Sequence, residues 1–196
     1  MGLYLILMGV QGAGKGVQAQ FISEKYGIPH VSTGDMFRAM KKRDDDFAKE
    51  IAALMDSGAL IDDDTTNKVV ADRLSQPDAA NGVLLDGYPR NLPQAEFLEN
   101  LLAEKDEALN GVMLFELNLY VAFKRAFGRV QSVETGESYN LYYRTGGANF
   151  EIEKDPDEKF PPRIVATADD TGEVLKRRMD DADAMAVVER IDTYLD

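Results

Sequence analysis

The chain has 196 residues, 44% apolar and 29% charged, enough for one mid-sized domain with a core and small inserted lobes, and unlike a disordered chain. Its formal net charge of −13 opposes the basic surface that nucleic acid requires, so no nucleic-acid partner is expected. With no cysteine there are no disulfides, thiolate metal sites or thiol nucleophiles, and the one histidine, His30, cannot build a metal cluster and is expected to be structural.

The first apolar run, near residues 3–8, has no basic leader and is too short to span a membrane, so it predicts a buried strand in a cytoplasmic protein. Ile6 misses the hydroxyl residue of a myristoylation signal. Further strands are expected near 28–32, 82–86 and 111–117. Helical spacing covers 15–26, 47–57, 63–75, 92–104, 119–128 and 173–195. Alternating strands and helices predict an α/β fold, a parallel sheet flanked by helices. Residues 130–172 break this rhythm with Gly, Asp, Pro and clustered Tyr, and predict small antiparallel strands in an inserted lobe resembling a lid. The runs Asp44-Asp45-Asp46 and Asp62-Asp63-Asp64 are expected to be solvated faces.

Strand one leads into Gly9-Val10-Gln11-Gly12-Ala13-Gly14-Lys15-Gly16-Val17, the G-x-x-x-x-G-K frame between an apolar strand and a helix. Glycines let successive N–H groups curl toward one phosphate, and the following helix turns its positive N-terminus to the same anion. Lys15 adds a point charge that can follow a moving phosphoryl group.

Three further segments follow: Ser32-Thr33-Gly34-Asp35-Met36-Phe37-Arg38, Asp86-Gly87-Tyr88-Pro89-Arg90 with Gln94, and Arg125-Ala126-Phe127-Gly128-Arg129. With the phosphate loop they strongly resemble the adenylate kinase family, in family order, to about residue 130, and a looser match resumes at Gly172-Glu173 and Arg177-Arg178-Met179-Asp180-Asp181. The resemblance implies a phosphotransferase that moves the terminal phosphoryl group of ATP to AMP, reversibly giving two ADP, in adenine nucleotide homeostasis. The implied fold is a P-loop core over 1–129 with an inserted NMP-binding helical segment at about 32–61, a lid at 130–172 and a return helix at 173–196. ATP and AMP are then the partners of a monomer that engages no membrane.

Roles carried over by resemblance divide between the two nucleotides. Lys15, Arg90, Arg125, Arg129, Arg178 and Arg190 would be catalytic, arginines being suited to fork across phosphate oxygens. Gly12, Ala13, Gly14, Lys15, Gly16 and Val17, with Arg125, Arg129, Ser138 and Tyr139, would bind ATP, Arg125 near its base. Arg38, Gly87, Tyr88, Pro89 and Arg90 would hold AMP with Arg178 and Arg190, while Thr33, Ala59, Leu60, Ile61 and Gln94 would select adenine. Mg²⁺ would bridge the ATP phosphates with no direct protein ligand, Asp86 reaching it through water. Asp35 is a weaker candidate for that contact and can equally be a helix cap, and Asp180 and Asp181 resemble a hinge-side acidic pair or are solvated carboxylates on a helix.

The chain departs from the family pattern in several places. Val17 stands where a hydroxyl residue is usual, and a lost hydrogen bond to a charged group costs about 1.5–3 kcal/mol. The lid lacks the cysteines of zinc-carrying relatives, so no zinc is expected and packing and hydrogen bonds must hold it. Arg178 and Arg190 are one residue further apart than the resemblance implies. By resemblance a further core strand and terminal helix would be expected beyond Asp196, so either the chain is a fragment, the reading favoured, whose truncation would expose a sheet edge and apolar surface, or four parallel strands suffice. Two other readings are a UMP or CMP kinase, and a nucleotide-binding protein with impaired turnover. The set of arginines argues against the second.

Overall fold

The computed structural model describes residues 2–56, 61–143, 145–154, 156, 163–177, 181 and 183–195. Two compact units divide the chain, one of residues 1–8 and 14–115, the other of 9–13 and 116–196.

In the first unit, β1 (Leu3–Gly9), β2 (His30–Ser32), β3 (Gly82–Asp86) and β4 (Leu109–Phe115) lie in the order β2-β3-β1-β4. β3 pairs in parallel with both β1 and β2, from Leu3 opposite Gly82 to Leu7 opposite Asp86. The period of two in β1 divides its side chains between two cores. Tyr4 and Ile6 join Val83 and Leu85 of β3 beneath helices α2 (Thr33–Met40), α3 (Asp46–Asp56), α4 (Asp63–Leu74) and α5 (Leu92–Ala103). Leu3, Leu5 and Leu7 join Leu84, Met113 and Phe115 against Ala19 and Ile22 of α1 (Lys15–Tyr26). Helices therefore cover both faces, as expected of a parallel sheet.

Local chemistry starts each helix. Asp62, Asn91 and Ser32 cap α4, α5 and α2 by accepting from Thr65 N, Gln94 N and Asp35 N. Gly27 ends α1 in the left-handed region and donates to the carbonyl of Ser23. The strand β4 has its other face open, with Val112 and Leu114 51% and 57% exposed.

The second unit carries two antiparallel ladders, β5 (Arg129–Gln131) with β6 (Ser138–Asn140) and β7 (Ala148–Glu153) with β8 (Arg163–Ala168). They surround a small core of Val130, Tyr139, Ala148, Ala166, Ala168 and Leu175. Small antiparallel strands were expected here. Helix α6 (Leu119–Phe127) packs on α7 (Ala184–Leu195) through Ala122, Ala126, Val187 and Ile191, with Phe123 stacked on Phe127 at 5.5 Å.

Three expectations are corrected. The helix expected over 173–195 begins only at Ala184, because Val174 and Lys176 pair with Thr167 and Gln131 and draw 173–176 into extended backbone. Helix α2 falls between the stretches whose spacing was expected to be helical, started by its Ser32 cap and burying Thr33, Met36 and Met40 on one face. The aspartate runs are not merely solvated: Asp45 accepts from Ala48 N and pairs with Arg43, Asp62 caps α4, and Asp63 accepts from Gln94 and Asn91. Asp64 is exposed, as expected.

Candidate functional site

The phosphate loop follows β1 directly. Gly12 and Gly14 have φ of +83° and +98°, a region L side chains rarely adopt. A Cβ on Gly12 would also lie 2.6 Å from the carbonyl oxygen of Ala122, so both backbone freedom and close approach require glycine there. Gly14 is the N-cap of α1 and supplies no side-chain acceptor. The first N–H groups of α1 thus meet no capping side chain, the arrangement that suits an anion. Val17, in the first turn of α1, is 61% exposed, and Gly16 is exposed beside it.

Lys15 Nζ lies 3.9 Å from Asp86 Oδ1 at the end of β3, and His30 Nε2 lies 3.3 Å from Asp86 Oδ2. His30, expected to be structural, thus sits beside the carboxylate assigned to magnesium. Its motif gave no sign of this, because β2 and β3 are brought side by side only by the fold.

After Asp86 the chain turns through Gly87, at φ +78°, and the cis Tyr88–Pro89 peptide. Arg90 donates through Nε to Gly87 O at 2.9 Å and through Nη2 to Thr33 Oγ1 at 3.0 Å. A Cβ on Gly87 would meet Thr33 Oγ1 at 3.0 Å, tight enough to displace that hydroxyl. Thr33 is buried and Arg90 exposed, so the guanidinium is anchored at its base with its outer side in solvent. Pro89 is half-buried. Tyr88 is buried, donating to Asn67 Oδ1 at 2.6 Å and lying 3.2 Å from Gln94 O. Burial, and then the nearby Asp63, pushes its phenol well above the ordinary tyrosine range.

Gln94 is buried, and both ends of its amide are engaged: Oε1 accepts from Arg90 N at 2.8 Å and Nε2 donates to Asp63 Oδ1 at 2.6 Å. Arg38 is exposed and paired with Asp35. Burial raises the Asp35 carboxyl, but the hydrogen bonds from Ser32 and Arg38 outweigh it and hold the group below the usual range. Asp35 therefore belongs to the helix-start network, but the cap itself is Ser32, which accepts from Asp35 N. Ile61 is half-buried, while Ala59 and Leu60 lie outside the described residues.

In the second unit Asp181 is completely buried. It takes Arg129 on Oδ2, with Nε at 2.9 Å, and on Oδ1 it takes Arg190 at 3.2 Å and Gln11 Nε2 at 2.7 Å. The fold thus gathers Arg129 and Arg190 on one carboxylate, which is not a solvated residue on a helix face. Neither Gln11 nor Asp181 was among the expected site residues, since only the acidic pair around 180 hinted at it. Arg125 is exposed, and its carbonyl accepts from Asn140. Ser138 is exposed and Tyr139 buried in the small core. Arg178 and Asp180 lie outside the described residues.

The lobe is stapled by hydrogen bonds as well as packing. Ser132 donates to Glu173 Oε2 at 2.5 Å, Val133 N donates to Oε1 at 2.7 Å, and Thr135 N donates to Ser132 Oγ at 2.9 Å. The Ser132 bond, foremost, holds the Glu173 carboxyl below the ordinary range against its desolvation, with the Val133 and Glu134 amides adding to it.

Among the described residues no three metal-binding side chains cluster, and no helix is long and apolar enough to cross a membrane. A single carboxylate, Asp86, fits an ion held mainly by water and phosphate oxygens, as Mg²⁺ prefers.

Comparison with known proteins bears on these clusters. A family model described as adenylate kinase matches residues 7–195. An adenylate kinase of Anaeromyxobacter sp. (strain Fw109-5) is 41% identical over 177 residues, covering 90% of this chain and 80% of the relative. One of Listeria innocua serovar 6a (strain ATCC BAA-680 / CLIP 11262) is 42% identical over 177 residues, covering 90% of this chain and 75% of the relative.

Proposed function

From the premise that this chain belongs to the adenylate kinase family, we propose how its residues divide the work of ATP:AMP phosphoryl transfer, the reaction that gives ADP. The observation that carries the division is the pair of phosphate-directed clusters in the first unit. Lys15, at the start of α1, leans on Asp86, and immediately after Asp86 the Gly87 carbonyl and Thr33 hydroxyl hold Arg90. One cluster suits the ATP phosphates and the other the phosphate of AMP.

Gly12, Ala13, Gly14, Lys15 and Gly16 bind the ATP phosphates through backbone N–H groups and the Lys15 ammonium. Arg90 and Arg38, with Tyr88-Pro89, orient the AMP phosphate, and Thr33, Ile61 and Gln94 face its base. Arg129, Arg178 and Arg190 supply positive charge to the transferring group, where charge stabilisation and positioning carry catalysis. Arg125, Ser138 and Tyr139 contact the ATP base and sugar. Adenylate kinases use Mg²⁺ with ATP, and here Asp86 would hold it through water; when bound, the ion would neutralise phosphate charge. The acceptor is already an ionised phosphate, so no residue of this chain has to remove a proton from it.

The lobe at 130–172 acts as a lid that keeps water from ATP. Its separate core and its Glu173 staple support this reading. The protein works as a cytoplasmic monomer, which size-exclusion chromatography and fractionation test.

The primary test is ADP formation from ATP and Mg²⁺ with AMP, UMP or CMP, beside Arg90→Ala. Fast turnover with AMP, cut by about 10²–10³-fold in the variant, is the expected result. A folded protein that binds ATP but turns over no acceptor would overturn it.

A further inference from the structure

We propose that Asp63 sets the base preference of the acceptor site by locking the orientation of the Gln94 amide, so that 6-aminopurine monophosphates are accepted and 6-oxopurine ones refused. The inference rests on the reading above that Gln94 faces the acceptor's base.

A glutamine amide carries an acceptor at one end and two donors at the other, in nearly the same shape. To read adenine, the oxygen must accept from the exocyclic amine while the NH₂ donates to N1. Hypoxanthine presents the reverse, an acceptor at position 6 and a proton on N1. A glutamine free to turn about its last torsion, which is broad and roughly two-fold, would serve both.

Gln94 is not free to turn. Its Nε2 donates to Asp63 Oδ1 at 2.6 Å and its Oε1 accepts from Arg90 N at 2.8 Å. An ionised carboxylate only accepts and a backbone N–H only donates. Turning the amide would set oxygen against oxygen and N–H against N–H. A hydrogen bond to a charged group alone favours one state by about 10- to 150-fold.

Asp63 is itself held. Its Oδ2 accepts from Asn91 Nδ2 at 2.8 Å, and Asn91 Oδ1 accepts from Gln94 N at 3.0 Å as the cap of α5. The four residues Asp63, Arg90, Asn91 and Gln94 form a closed set in which each contact defines the next. These contacts use one donor and one acceptor position of the Gln94 amide. A second of each remains for a base.

The test is the ratio of kcat/KM for AMP to that for IMP, measured in the unaltered protein, Asp63→Asn and Gln94→Leu. Asparagine has nearly the shape of aspartate but can offer either amide end, so Asp63→Asn should remove the charged half of the lock and leave only the Arg90 N–H against turning. The AMP:IMP ratio is expected to fall about 10-fold or more, chiefly through the KM of the monophosphate, with the KM for ATP unchanged. A parallel loss for both acceptors at constant ratio would show that Asp63 only supports the fold, and would overturn the proposal. Gln94→Leu separates the two levels. If the ratio collapses there but survives in Asp63→Asn, the lock is wrong and the base-reading role stands. If the ratio survives in Gln94→Leu, the base-reading role falls and the lock with it.

Discussion

In the first unit Arg90 rests on two neutral oxygens, those of Gly87 and Thr33, whereas in the second Arg129 and Arg190 share the buried carboxylate of Asp181. Neutral acceptors orient a guanidinium and leave its charge for a ligand. A carboxylate orients two guanidiniums at once and cancels half their joint charge, and because it is buried it ties that geometry to folding. Arginines can thus be positioned at very different risk to stability.

The contrast can be broken at either end. Arg90→Ala should cost about 2.7–4 kcal/mol of transition-state stabilisation yet leave the urea midpoint nearly unchanged, as expected of an exposed side chain. A large fall in the midpoint would mean that Arg90 is structural. Asp181→Ala should do the opposite first, leaving two guanidiniums without their shared anion. Because those side chains are 29% and 37% exposed, the loss should sit near the lower end for a broken buried pair, about 3 kcal/mol in urea denaturation. Val17→Thr sharpens the phosphate side: a regained hydroxyl donor should lower the KM for ATP by about 10-fold or more with kcat nearly unchanged. No change would show that the loop does not miss that contact.

The smallest effect concerns the lobe. The Glu173 carboxyl is depressed when folded, so its contribution is complete above the ordinary glutamate range and is lost as pH falls through the lower folded value. Amide exchange at Val133 and Tyr139 should therefore quicken in acid beyond its intrinsic change, and Glu173→Gln should abolish that extra pH dependence. An unaltered profile in Glu173→Gln would exclude the staple as the cause.

Much of the first unit is readable from local sequence, because its strands are short apolar runs and its helices carry their own caps. Residues 173–176 are not, because Val174 and Lys176 become extended only by pairing with Thr167 and Gln131. The site shows the same division. Lys15, Arg90 and Arg129 stand in motifs whose spacing carries their chemistry. Asp63 lies 31 residues from the Gln94 it holds, inside an acidic run that looks like a solvated face, and Asp181 lies 52 residues from Arg129. Such partners are chosen by tertiary packing, which no local window contains.

The open face of β4 has a colloidal consequence. Val112 and Leu114 form a sticky stripe on a particle whose mutual repulsion comes from a net charge of −13. That repulsion vanishes near pH 4.5, the isoelectric point, and salt shortens its reach to about 8 Å at physiological ionic strength. Concentrated solutions should therefore cloud first on mild acidification in salt, and clear again on returning to neutral pH while the stripe has not yet seeded strand-to-strand growth.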